Sequence, residues 1–300
     1  MTNRRPLDFA GLGIGPFNLS IAALMTQVPE LSSQFFDAKP AFSWHPGMML
    51  DNARLQTSYL KDLVTGVAPT SPYSFLNYLV SHRRFYPFLC AELPAVSREE
   101  YADYLAWVSR ELSNLSFAQR IEAVELQGDQ FAVHLSGANE PLRASALCLG
   151  TGLSPKLPDC VRPHLGQRCF HNADITSRQL DLKGLRVAVV GGGQSGAEVV
   201  EQIIADKWGE PASLCWLSRR PNFEALDEIA FTNEYFAPQY VDTFFNVSAQ
   251  RKAAIVRQQK LASDGISPDT LRSLYRALYE KRALGNLRYP VHFLPGRELV

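Results

Sequence analysis

Two glycine turns, each set between an apolar strand-like run and an amphipathic run, constrain the fold of this chain more than any other feature. The first is Gly11-Leu12-Gly13-Ile14-Gly15-Pro16 and the second Gly191-Gly192-Gly193-Gln194-Ser195-Gly196. Around the first, residues 7–12 read as a buried strand, 13–18 as a tight turn, 18–28 as a helix ended before Pro29, and Gln34–Asp37 as the next strand. The pattern restarts with a strand over Leu185–Val190, the second turn, a helix over Ala197–Trp208 and a strand over Ser213–Ser218. Two strand–turn–helix–strand units in one chain predict an α/β fold.

Between the units the chain changes character. Residues 40–94 are irregular and aromatic, broken at Pro46, Gly47, Gly66, Pro69, Pro72 and Pro87, the pattern of a segment inserted to build a site. Ser97 followed by Glu100 forms a capping box that opens a helix over Glu99–Leu112. Two strands flank Gly128-Asp129 within 120–135, and Ala144–Leu149 is a further apolar run. Late amphipathic helices are expected over Ser248–Ala262 and Ser267–Arg282, the second opened by Ser267-Pro268.

Composition closes several function classes. Lys+Arg and Asp+Glu both number 30 in the 300 residues, which removes the electrostatic ground for a nucleic-acid partner. Cys90, Cys148, Cys160, Cys169 and Cys215 are scattered without a CxxC. That pattern argues against a disulfide framework, a structural zinc site or a dithiol centre and fits a cytoplasmic protein. The histidines lack metal-ligand spacing, so no metal site is expected. The apolar stretch Phe9–Met25 is interrupted by Gly11, Gly13, Gly15 and Pro16; it reads as strand, turn and helix rather than as a signal peptide, and no run is long enough for a membrane span.

The glycines of each turn let backbone N–H groups at a helix N-terminus approach a pyrophosphate. The strands after the two turns end in charges of opposite sign. Asp37 ends the strand after the first, where a carboxylate accepts hydrogen bonds from ribose hydroxyls; Arg219 and Arg220 end the strand after the second, where guanidinium groups suit the 2′-phosphate of NADP. The expected architecture is therefore two Rossmann-like dinucleotide-binding domains, for FAD and for NADPH, with a small helical substrate-binding region. The expected boundaries are 1–152 for the FAD-binding part, 153–230 for the NADPH domain and 231–300 for the substrate region and the start of a return to the first domain. Such a flavoprotein passes electrons to a quinone or other acceptor, or to oxygen.

The runs Trp44-His45-Pro46-Gly47-Met48, Leu55–Leu63, Pro69–Leu79, Gly191–Gly196 and Phe231–Phe236, with Ser263-Asp264-Gly265-Ile266-Ser267, resemble the flavin-dependent lysine and ornithine N-monooxygenases of siderophore biosynthesis, the lysine N6-hydroxylases above all. The resemblance implies hydride transfer from NADPH to FAD, addition of O2 to give a C4a-hydroperoxide, and attack by a neutral side-chain amine of L-lysine. No catalytic acid–base residue is implied. Trp44, His45 and Gln56 then lie along the flavin; Gln194, Ser195 and Arg219 meet NADPH; Lys61 pairs with the substrate α-carboxylate; and Asn233, Glu234, Tyr235, Phe236 and Asp264 line the substrate. It further implies a homo-oligomer that works with a siderophore acyltransferase or synthetase, and a chain that lacks the family's C-terminal part. Alternatives are hydroxylation of L-ornithine, cadaverine or putrescine, or a catalytically idle nucleotide-binding relative.

Overall fold

The structure is a computed structural model that describes residues 5–300. It divides into two compact units, one ending at Pro155 and one spanning Lys156–Val300.

The first unit begins with β1 (Leu7–Leu12), α1 (Pro16–Met25) and β2 (Ser33–Phe36). Proline fixes φ at the first helical position, so α1 starts at Pro16, ahead of the expected residue 18. Next come α2 (Phe75–Ser81), α3 (Phe85–Cys90), α4 (Arg98–Glu111), β3 (Leu115–Ser116), β4 (Ile121–Gln127), β5 (Gln130–Leu135) and β6 (Leu142–Leu149). Ser97 Oγ accepts the Glu100 N–H at 3.1 Å, which opens α4 as the capping pattern requires. The six strands take the order β3-β2-β1-β6-β5-β4. Strands β3, β2, β1 and β6 run parallel, while β5 and β4 complete an antiparallel meander. Ile14, Leu19, Ala22 and Phe35 are fully buried in one core with Phe75, Leu79, Tyr104 and Leu105. Part of the irregular 40–94 segment is thus core, held by burial at about 1.5–3 kcal/mol per large side chain.

The second unit contains β7 (Arg186–Val190), α5 (Gln194–Ile204), β8 (Ser213–Ser218), α6 (Ala230–Asn233), α7 (Pro238–Phe245), α8 (Ala249–Gln258), α9 (Leu261–Asp264), α10 (Pro268–Ala283) and β9 (Val291–Pro295). The expected helix over Ala197–Trp208 begins three residues earlier and stops before Asp206, whose φ of 55° is left-handed. Ser248–Ala262 is divided between α8 and α9. Within this unit β9 pairs in parallel with β8, from Leu214↔Val291 to Ser218↔Pro295, and completes the sheet β7-β8-β9. α10 packs on α5, and its Leu274 and Leu278 are buried. No described helix is long and apolar enough to cross a membrane.

Candidate functional site

In the first unit the glycine turn is sewn to both neighbouring strands. Gly13 N–H donates to Phe36 O at 2.7 Å, and Gly150 N–H, just beyond β6, donates to Leu12 O at 2.8 Å. The buried Asn18 amide donates to Gly13 O at 2.8 Å and to Leu12 O at 3.2 Å. Three glycines here do different work. A Cβ on Gly11 would lie 2.0 Å from the buried Phe35 ring; one on Gly13, at φ 87°, would lie 2.4 Å from Gly150 O. A Cβ on Gly15 would meet no protein atom within 4 Å. Gly11 and Gly13 therefore serve packing and turn geometry, whereas Gly15 borders open space at the start of α1, which has no side-chain cap. Uncapped N–H groups beside such a space suit a pyrophosphate, so the residues present fit a dinucleotide.

Asp37 comes directly after β2 and reaches back to this turn. Its Oδ2 accepts the Ile14 N–H at 2.9 Å and its Oδ1 the Lys39 N–H at 2.9 Å, with Lys39 Nζ at 3.6 Å. Each carboxylate oxygen has a second lone pair, so the same group can shape the turn and accept a ribose hydroxyl. Farther along, His45 takes φ 45° and packs its ring against Trp44, which meets Tyr101 edge-on at 5.7 Å. Burial, with help from the Arg98 and Lys39 charges, holds the His45 pKa below its ordinary 6.5, so the ring is neutral at pH 7. Gln56 is half-buried and Lys61 exposed.

The second unit repeats the division among glycines. A Cβ on Gly192 would lie 2.2 Å from Ser218 Oγ, and one on Gly196 2.3 Å from Gly191 O. Around Gly193, which precedes the uncapped α5, there is open space. Trp216, stacked on Phe223 at 3.8 Å, braces the turn by donating from Nε1 to Gly191 O at 2.8 Å. Ser195 sits half-buried in the first turn of α5.

Arg219 and Arg220 part company. The Arg219 side chain is 76% exposed and has Glu298 at 3.4 Å, whereas Arg220 turns inward to Glu224 at 3.8 Å and Asp264 at 3.7 Å. Asp264 also faces Lys260 at 3.5 Å. Gly265 is needed beside it because a Cβ there would lie 2.2 Å from the Leu226 backbone. The Gln194 side chain spans the unit: Nε2 donates to Glu198 Oε1 and Thr270 Oγ1, and Oε1 accepts the Ser267 N–H at 2.8 Å. These bonds fasten α10 to α5, a use that the turn motif alone does not signal. On α6 and the helical turn after it, Asn233 donates to Glu228 O at 3.2 Å; Asn233, Glu234 and Phe236 are exposed, and Tyr235 packs on Tyr240.

Residues 5–300 match the family model for L-lysine 6-monooxygenase/L-ornithine 5-monooxygenase. The chain belongs to this family. It is 46% identical over 298 residues to an L-lysine N6-monooxygenase of Escherichia coli, covering 99% of this chain and 69% of that protein. A putrescine N-hydroxylase of Shewanella oneidensis is 36% identical, covering 95% of this chain and 59% of its own length. Among solved structures, the FAD-bound cadaverine monooxygenase of Erwinia amylovora superposes with a TM-score of 0.91 at 34% identity, covering 99% of this chain and 70% of the other. An ornithine N-hydroxylase of Kutzneria, solved with reduced FAD, NADP+ and L-ornithine, gives 0.87 at 29% identity, covering 97% and 72%. The two solved structures share the α/β architecture of this chain, and the four proteins differ in the amine named.

Proposed function

We propose that this chain acts as an FAD- and NADPH-dependent monooxygenase that hydroxylates the side-chain amine of L-lysine. The observation that carries the reading is the pair of open glycine turns with opposite charges after them, Asp37 beyond one and the exposed Arg219 beyond the other. When bound, the flavin supplies the redox chemistry, taking hydride from NADPH and activating O2.

The chain's own groups bind, orient and exclude water. N–H groups at the start of α1, bordered by Gly15, hold the FAD pyrophosphate, and Asp37 accepts its ribose hydroxyls. The α5 terminus and Gly193 do the same for NADPH. Arg219, the exposed one of the pair, takes the 2′-phosphate, while Arg220 faces Glu224 and Asp264. Lys61 receives the substrate α-carboxylate, and Asn233 to Phe236 supply further substrate contacts. A neutral His45 adds no positive charge along the flavin. The reacting amine must be unprotonated, and desolvation favours that form.

A diamine lacks the carboxylate that Lys61 would bind, which favours an amino acid over cadaverine or putrescine. The product, an N-hydroxy amino acid, suits acylation to a siderophore hydroxamate. The test is purification and titration with FAD. The expected result is a yellow protein that oxidises NADPH faster than NADH and faster still with L-lysine. A protein that binds no flavin is the idle relative instead.

A further inference from the structure

We propose that Asp62 is a positioning residue that fixes the main chain carrying Lys61, so that the Lys61 ammonium is presented to a substrate α-carboxylate; the inference rests on the amino-acid reading above.

Asp62 is the hub of its loop. Its Oδ1 accepts the N–H groups of Val64 at 3.0 Å and Thr65 at 2.7 Å, and its Oδ2 accepts Thr65 Oγ1–H at 2.8 Å and the Phe75 N–H at 2.7 Å. All four neighbours are donors, which an acceptor-only carboxylate satisfies and a neutral amide cannot. The bond to Phe75 closes the loop across 13 residues. Buried Tyr104 adds a second closure, accepting the Leu63 N–H at 3.3 Å and donating to Tyr73 O at 2.7 Å. Lys61 itself donates its N–H to Ser58 O at 3.0 Å, and Tyr101 Oη lies 3.5 Å from its carbonyl. The next residues, Leu63 and Val64, are buried, while Lys61 stays exposed.

A lysine has a long flexible stem, so the direction of its charge is set by how rigidly its Cα is held. Preorganising that base lowers the ordering cost of binding an anion. A ligand without a carboxylate gains nothing from it. The positioning role therefore predicts selectivity, which a general loss of fold does not.

The experiment is equilibrium dialysis of the FAD-loaded protein with radiolabelled L-lysine and, separately, cadaverine, alongside fluorescence titration of FAD. Asp62→Asn, which sets an amide N–H2 against the Phe75 N–H, should weaken L-lysine binding about tenfold, leave cadaverine within about twofold and leave FAD affinity unchanged. Thr65→Val, which removes one of the four bonds, should shift L-lysine in the same direction by less, and it decides the matter alone if Asp62→Asn does not fold. Equal weakening of both amines, or unchanged L-lysine binding, overturns the inference while the amino-acid reading stands. Should Lys61→Ala bind L-lysine as well as the unmodified protein does, the amino-acid reading falls and the role of Asp62 with it.

Discussion

Replacing Gly13 and Gly15 one at a time by alanine should separate folding from ligand binding within a single turn. At Gly13 the added methyl meets two costs. A φ of 87° places it in left-handed space, at about 1–2 kcal/mol for an L-residue. Its Cβ would also stand 2.4 Å from Gly150 O, and relieving such overpacking adds about 1–3 kcal/mol. The sum, on the order of 2–5 kcal/mol, lowers the melting temperature of a unit of this size by roughly 5–15 °C. At Gly15, with φ −96° and ψ −179° and open space around it, alanine fits the backbone and stabilises by about 0.4–1 kcal/mol through the unfolded chain. The same methyl obstructs a pyrophosphate and should weaken FAD about tenfold or more, ~1.4 kcal/mol or above. Circular dichroism melts of the FAD-free protein and fluorescence titration with FAD read the two effects. Gly15→Ala binding FAD as tightly as the unmodified protein, or Gly13→Ala melting with it, would refute the assignment.

Three further outcomes are expected. Arg219→Ala should raise the KM for NADPH and erode its preference over NADH with little change in Tm, because an exposed ion pair contributes only about 0–1 kcal/mol; Arg220→Ala should instead lower Tm, since it removes the half-buried cation that faces both Glu224 and Asp264. The folded state holds the His45 pKa below 6.5, so its unfolded form binds protons first on acidification; the stability held by the neutral ring is complete above pH ~6.5 and lost as pH falls below it. His45→Asn, tolerant of φ 45°, should flatten that part of the Tm–pH curve. Gln194→Ala should speed amide exchange at the start of α10, where Ser267 loses its acceptor, and change the KM for NADPH little.

The elements read well from sequence wherever the signal was local. β1 and β8 match their expected bounds because apolar runs end at glycine or arginine, and α4 is announced by Ser97 and Glu100 in its own first turn. What escaped depends on distant partners. β9 is five residues flanked by Pro290 and Gly296, and only pairing with β8 makes it a strand. α2 lies in a proline-rich stretch, where its buried face and the Asp62 bond to Phe75 are long-range facts. At the site, the glycine motif identified each turn but not which glycine borders open space. Gln194 reads as a ligand contact, and sequence gives no sign that its amide also bonds residues 73 and 76 positions away. The adjacent arginines look alike in sequence and differ because one meets Asp264 across a loop closed by Leu226 and Ile266.

Hydroxylation of the L-lysine side-chain amine is the activity we propose for the paired nucleotide turns. Its most direct test is hydroxylamine formation by the FAD-reconstituted protein with NADPH and O2, measured side by side for L-lysine, L-ornithine, cadaverine and putrescine. N6-hydroxylysine is expected as the main product, with L-lysine turning over fastest and Lys61→Ala removing that advantage over cadaverine. Preference for a diamine that survives Lys61→Ala, or no hydroxylamine from any of the four by a protein that binds FAD and oxidises NADPH, would contradict it.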